Sequence, residues 1–156
     1  MKTFVNLIEE TLPNVTGLFP WDLEEKLKED PNIILLDIRE PYEYEVMHVE
    51  NSINIPRGVL EAACDWGYEE TVPEIASSRD REIIVICRSG NRSVLAAYTM
   101  QLMGYNNVSS LKTGLAGWNN YELKLENSEG KTVDIEEGDA FFESKVRPEQ
   151  MPPVSG

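Results

Sequence analysis

The sequence predicts an α/β protein built on a parallel sheet, and three observations carry that prediction. Two continuous apolar runs, Ile33 to Leu36 and Ile83 to Ile86, lack polar alternation, which is the pattern of strands covered on both faces. The stretch from Ile83 to Gly104, IIVICRSGNRSVLAAYTMQLMG, reads as a strand, a tight loop and a helix. Polar residues stand at the carboxyl ends of both runs, Asp37 with Arg39 and Cys87 with its loop, where ligands bind in open α/β sheets.

In chain order, Phe4, Leu7, Ile8 and Leu12 have a helical spacing that Pro13 and Gly17 interrupt. Phe19-Pro20-Trp21 leads into DLEEKLKED, with acids at its start, lysines towards its end, and Leu23 and Leu27 on one face, a helix signal. Asp30-Pro31-Asn32 turns the chain into the first interior strand. Pro41 suits the first turn of a short helix, EPYEYEVM. Ile53 and Ile55 alternate with polar residues and predict a brief strand closed by Pro56. Between Gly58 and Ser78 lie five acids and no base until Arg79, with Val59, Leu60, Ala63 and Trp66 as the expected buried side of a helix that also carries Cys64. After the central stretch come a turn at Tyr105-Asn106-Asn107, a last strand over Val108 to Leu111, and a small helix whose Trp118 seals the core. From Glu126 onward the chain is polar, with Gly130 and Gly138, and reads as an extended arm whose Phe141 and Phe142 form a clasp or dimer contact. The domain reading is a helical extension over 1–18, the α/β domain over 19–125 and a polar arm over 126–156.

A length of 156 residues suits one compact domain with a real core plus an appendage. The formal charge of −14 argues against nucleic acid and anionic membrane surfaces, so any small anionic substrate must be attracted locally. Two cysteines in dissimilar surroundings offer neither a disulfide framework nor a C-x-x-C pair, and a lone His48 excludes a metal cage of several imidazoles. The first fifteen residues carry acids and no long apolar core, and no run reaches transmembrane length, which predicts a cytoplasmic protein.

The chemistry centres on Cys87. A loop feeding a helix N-terminus aims unpaired N–H groups at one spot and adds the positive end of the helix dipole, so a sulfur placed there is stabilised as thiolate. Asp37 and Arg39 read as an ion pair ordering their loop, His48 as a turn residue bonded to backbone, Cys64 as a packing residue, and Arg57 as a further candidate for guiding anions.

Three segments resemble the single-domain rhodanese-like sulfurtransferases: LLDIRE through HVENSINIP (Leu35 to Pro56), IVICRSGNRS (Ile84 to Ser93) and LKTGLAGW (Leu111 to Trp118), together covering about Trp21 to Lys124. The resemblance implies a three-layer fold, a five-stranded parallel sheet with helices on both faces, and a cysteine that carries sulfur as a persulfide. That role transfers to Cys87, cradled by Arg88, Ser89, Gly90, Asn91, Arg92 and Ser93. The chain departs from the family at Met47 and at Asn51-Ser52 (in place of Gly-Ala), and Thr113 stands where a first Gly is common.

The mechanism expected is attack by Cys87 on the outer sulfur of a donor such as thiosulfate, followed by transfer to cyanide or a thiol, with no metal or organic cofactor. Two other functions share parts of this pattern. A cysteine phosphatase has Arg six positions after its Cys to clamp phosphate, whereas here that position is Ser93 and Arg92 is fifth. A binding or sulfur-delivery module would serve a protein partner through the acidic Gly58–Ser78 stretch. The sequence carries no signature of a particular oligomeric state.

Overall fold

A computed structural model describes residues 1–154. Its five strands are β1 (Thr16–Leu18), β2 (Ile34–Asp37), β3 (Ile53–Asn54), β4 (Ile83–Ile86) and β5 (Val108–Leu111). They form one sheet in the order β1-β5-β4-β2-β3, with every pairing parallel. The two apolar runs therefore lie side by side, β4 between β5 and β2, and all their residues are buried. Period-two geometry divides them between two cores. Ile34, Leu36, Ile83 and Val85 face one side, with Leu60, Ala63, Ile75, Ala96, Ala97 and Met100; Leu35, Ile84 and Ile86 face the other, with Leu23, Leu111, Leu115 and Trp118. Helices α1 (Phe4–Thr11), α4 (Leu60–Ala63), α5 (Pro73–Ala76) and α6 (Arg92–Leu102) cover the first side. Helices α2 (Pro20–Glu29), α7 (Gly114–Asn120) and α8 (Ile135–Phe142) cover the second, and α3 (Pro41–Val46) follows β2. Each fully buried Ile or Leu adds about 1.5–3 kcal/mol, so the paired runs are the main apolar contribution to the sheet.

The structure differs from the sequence reading in three places. The edge strand β1 lies inside the segment read as a helical extension; its Thr-Gly-Leu has no apolar run, and pairing with β5 makes it a strand. Trp66 is 55% exposed and Val59 is exposed, because α4 ends at Ala63 and the chain turns away before Trp66; Leu60 and Ala63 alone bury that face. The arm is not extended throughout. Residues 135–142 form α8, whose Phe142 joins the core beside Trp118 and is thus enclosed within its own chain. Buried Asn119 secures α8, its Nδ2 donating to the Ile135 carbonyl (3.0 Å) and to Asp139 Oδ1 (2.8 Å). At Gly138 the two helices touch, since a Cβ there would fall 2.6 Å from the Asn119 side-chain carbon. The arm's start is tied by paired backbone hydrogen bonds of 2.9 Å between His48 and Glu126.

Candidate active site

Cys87 follows the last residue of β4, and α6 begins five residues later at Arg92, so a short loop must reverse from sheet to helix. Gly90 makes this possible by adopting φ +89°, a left-handed conformation that costs a side-chain-bearing residue energy. A loop amide and one from the first turn of α6 converge on sulfur: Gly90 N–H donates to Cys87 Sγ at 3.1 Å and Ser93 N–H at 3.3 Å. Their direction is enforced from behind. The amides of Leu115 and Ala116, in the first turn of α7, donate to the carbonyls of Cys87 and Arg88, each at 2.9 Å. With the loop carbonyls held by α7, the loop N–H groups turn the other way, towards the sulfur. The approach is close enough that a Cβ on Gly114 would fall 2.6 Å from the Cys87 carbonyl oxygen.

Backbone conformation explains two of the departures from the family pattern. Asn51 and Thr113 have φ of 67° and 63°, so the backbone keeps a left-handed conformation at each site where glycine is common. Asn accepts that region readily, whereas β-branched Thr113 is strained there.

Around the sulfur, the thiol lies 3.3 Å from Ser93 Oγ, which is 2.7 Å from Ser110 Oγ on β5. Ser110 was not anticipated as a site residue; the available signal was a Ser pair inside a strand whose four residues are all buried. Glu43 was also missed. Its carboxylate accepts two hydrogen bonds of 3.0 Å from Arg92 Nη1 and Nη2, in a fork geometry. Burial raises the Glu43 carboxyl, but the Arg92 hydrogen bonds, the Glu40 amide and the charges of Arg92 and Arg39 outweigh it and hold the group below the usual carboxylate range. Arg92 is correspondingly raised, first by its hydrogen bond to Glu43, against its own burial, and further by the charges of Glu43 and Cys87.

The predicted site residues thus separate into sets. Cys87, Gly90 and Ser93 meet at the sulfur, while Arg92 is turned onto Glu43. Arg88, Ser89 and Asn91 carry exposed side chains on the rim. Arg57 pairs with Glu61 (2.8 Å) and Thr99 (3.2 Å). Arg39 and Asp37 form a buried ion pair at 2.8 Å, with Arg39 Nη2 also donating to the Met47 carbonyl. His48 sets its Nδ1 2.7 Å from the Tyr44 carbonyl oxygen and stacks on the Tyr44 ring at 3.9 Å, a loop-holding arrangement. Among the described residues no group of His, Cys, Asp and Glu is arranged to hold a metal ion, and no helix is long and apolar enough to cross a membrane.

A rhodanese-like domain model matches residues 20–121. The chain belongs to the rhodanese-like family. It is 32% identical over 120 residues to the thiosulfate:glutathione sulfurtransferase of Saccharomyces cerevisiae, covering 72% of this chain and 86% of that protein. It is 32% identical over 95 residues to a putative sulfur carrier protein of Bacillus subtilis, covering 61% of this chain and 46% of the carrier, so the chain spans about half of that relative's length. Among solved structures, a protein of unknown function from Rhodopseudomonas palustris, described as a possible tyrosine phosphatase, superposes with a TM-score of 0.74 at 26% identity, covering 81% of this chain and 96% of that one. The rhodanese assignment places the chain in a family of sulfurtransferases and sulfur carriers, and the family match ends before the arm begins.

Proposed function

We propose that the protein transfers a sulfane sulfur from a donor such as thiosulfate to cyanide or a thiol, through a persulfide on Cys87. The observation that carries this reading is the pair of amides, from Gly90 in the loop and Ser93 in the first turn of α6, aimed at one sulfur. Such donors stabilise negative charge on Sγ before transfer and on the persulfide after it. In the first half-reaction the Cys87 thiolate attacks the outer sulfur of thiosulfate, the S–S bond breaks and sulfite leaves with its electron pair. In the second, the acceptor's lone pair forms a bond to the outer sulfur, and the electron pair of the breaking S–S bond returns to Cys87. Cys87 has 0% exposure, so the donor needs an opening beside the loop to reach the sulfur.

Mass spectrometry after incubation with thiosulfate tests the reading: the intact protein gains one sulfur atom on Cys87 and loses it on addition of cyanide. An unmodified Cys87 overturns it. Delivery to a protein partner is the second reading, favoured by Trp66 and Tyr68, each 55% exposed within the acidic stretch; it gives the same loaded cysteine with negligible discharge to cyanide. Phosphatase chemistry is disfavoured because Ser93 occupies the sixth position after Cys87, and Arg92 is committed to Glu43.

A further inference from the structure

Resting on the sulfur-transfer reading, we propose that the C-terminal arm and Arg88 together build an acceptor pocket for a small organic thiol bearing a carboxylate, with Lys145 and Arg88 as its anion-binding groups. A cavity of about 410 Å³ opens beside the Cys87 loop; Arg88 and Glu43 line it on one side, and the arm lines it from Phe141 to Gln150. The arm lies outside the 20–121 family match, so this wall is added to the matched domain.

Charge identifies the occupant. Arg88 and Lys145 are the cationic side chains with no ion pair, no side-chain hydrogen bond and no aromatic partner among the described residues. Arg92, nearby, is spent on Glu43; Arg81 bonds the Asn32 carbonyl and Lys112 lies over the Phe19 ring. The Glu43 carboxylate on the pocket wall is neutralised by Arg92, which leaves two free cations against the carboxylate of Glu143. The pocket is thus locally positive in a protein whose net charge is −14, the local attraction that an anionic substrate needs. Size and lining separate an organic acceptor from an inorganic donor. About 410 Å³ is the scale of an organic-ligand site, and Tyr42, Phe141 and Val146 add apolar surface that a bare oxyanion has no use for.

Seated there, the acceptor's thiolate RS⁻ attacks the outer sulfur of Cys87–S–SH. The S–S bond breaks, its electron pair returns to Cys87 as thiolate, and the product leaves as RS–SH, with no outside oxidant or reductant.

The test uses full-length protein loaded with thiosulfate and three thiols of similar size, 3-mercaptopropionate, 2-mercaptoethanol and cysteamine, whose non-thiol ends are anionic, neutral and cationic. Discharge of the persulfide is followed by stopped flow for wild type and for Lys145→Glu, and each rate constant is divided by that of wild type so that intrinsic thiol reactivity cancels. The relative rate for 3-mercaptopropionate falls about tenfold below that for 2-mercaptoethanol, and the relative rate for cysteamine rises above it. Equal relative rates for the three thiols overturn the pocket while leaving the persulfide reading intact. Failure of wild type to load sulfur at all overturns the earlier reading instead, and 3-mercaptopropionate binding to unloaded protein, measured calorimetrically and weakened by Lys145→Glu, then decides the pocket on its own.

Discussion

Cys64 and Cys87 are equally buried, both at 0% exposure, both are free thiols, and both lie in the same apolar core. They differ in what the backbone around them does. Cys87 ends a strand and is followed by a loop whose carbonyls are captured by α7, so its amides face the sulfur. Cys64 ends a four-residue helix, and its own carbonyl accepts the Tyr105 hydroxyl at 3.1 Å. Burial pushes the Cys64 thiol up, with Tyr105 and Arg79 only partly opposing it, and pushes the Tyr105 hydroxyl up as well. On the proposed reading, the direction of the neighbouring N–H groups, rather than burial, separates the nucleophile from the packing residue.

The widest separation is expected from serine substitution. If Cys87 carries the persulfide as proposed, Cys87→Ser should lower sulfur transfer by at least about a thousandfold. Cys64→Ser should retain most activity while losing about 1–2 kcal/mol of stability for a hydroxyl placed in an apolar site. Comparable loss of turnover in both variants would break the comparison. Next in size is Gly90→Ala. A side chain at φ +89° is strained, and its Cβ would fall 2.9 Å from the Thr113 amide nitrogen, so the Gly90 N–H must leave the sulfur. Steady-state kinetics should show a loss of about a hundredfold in transfer rate, with the fold retained by circular dichroism.

Glu43→Gln sharpens the comparison through Arg92, the residue whose backbone leads into the Ser93 amide. The variant should be less stable than wild type by about 1–2 kcal/mol near neutral pH; Arg92 is 34% exposed, so solvent screening keeps this below the value for a fully buried pair. Because the folded-state carboxyl lies lower than in the unfolded chain, this stabilisation is complete above the unfolded value of about 4.3 and fades as pH falls through the lower folded value. Urea titrations of both proteins at pH 7 and at pH 3 measure it; an unchanged difference at acid pH would show that the pair contributes through packing rather than charge. The smallest effect is expected at the back of the loop. Thr113→Gly removes a β-branched residue from φ 63° and should raise stability by up to about 1 kcal/mol in thermal unfolding, with the sulfur-facing amides unchanged.

Much of this molecule is legible one segment at a time. The β-branched run Ile83 to Ile86, the loop with Gly90 and the apolar helix after it are contiguous, and a strand, reversal and helix are encoded by local periodicity and by the one residue free to take a positive φ. Cys87 stands out for the same reason, since a loop entering a helix aims its amides at whatever begins it. The sequence by itself thus determined the sheet's centre, the position of the sulfur and the family. Tertiary structure alone decided which partners reach that sulfur and its rim. Glu43 meets Arg92 across 49 residues, Ser110 meets Ser93 across 17, β1 becomes a strand only beside β5, and the arm returns past α7 to stand against Arg88. Such contacts have no signature in the spacing of either segment, because they depend on where the sheet order and helix packing place two stretches that each look like ordinary polar surface on their own.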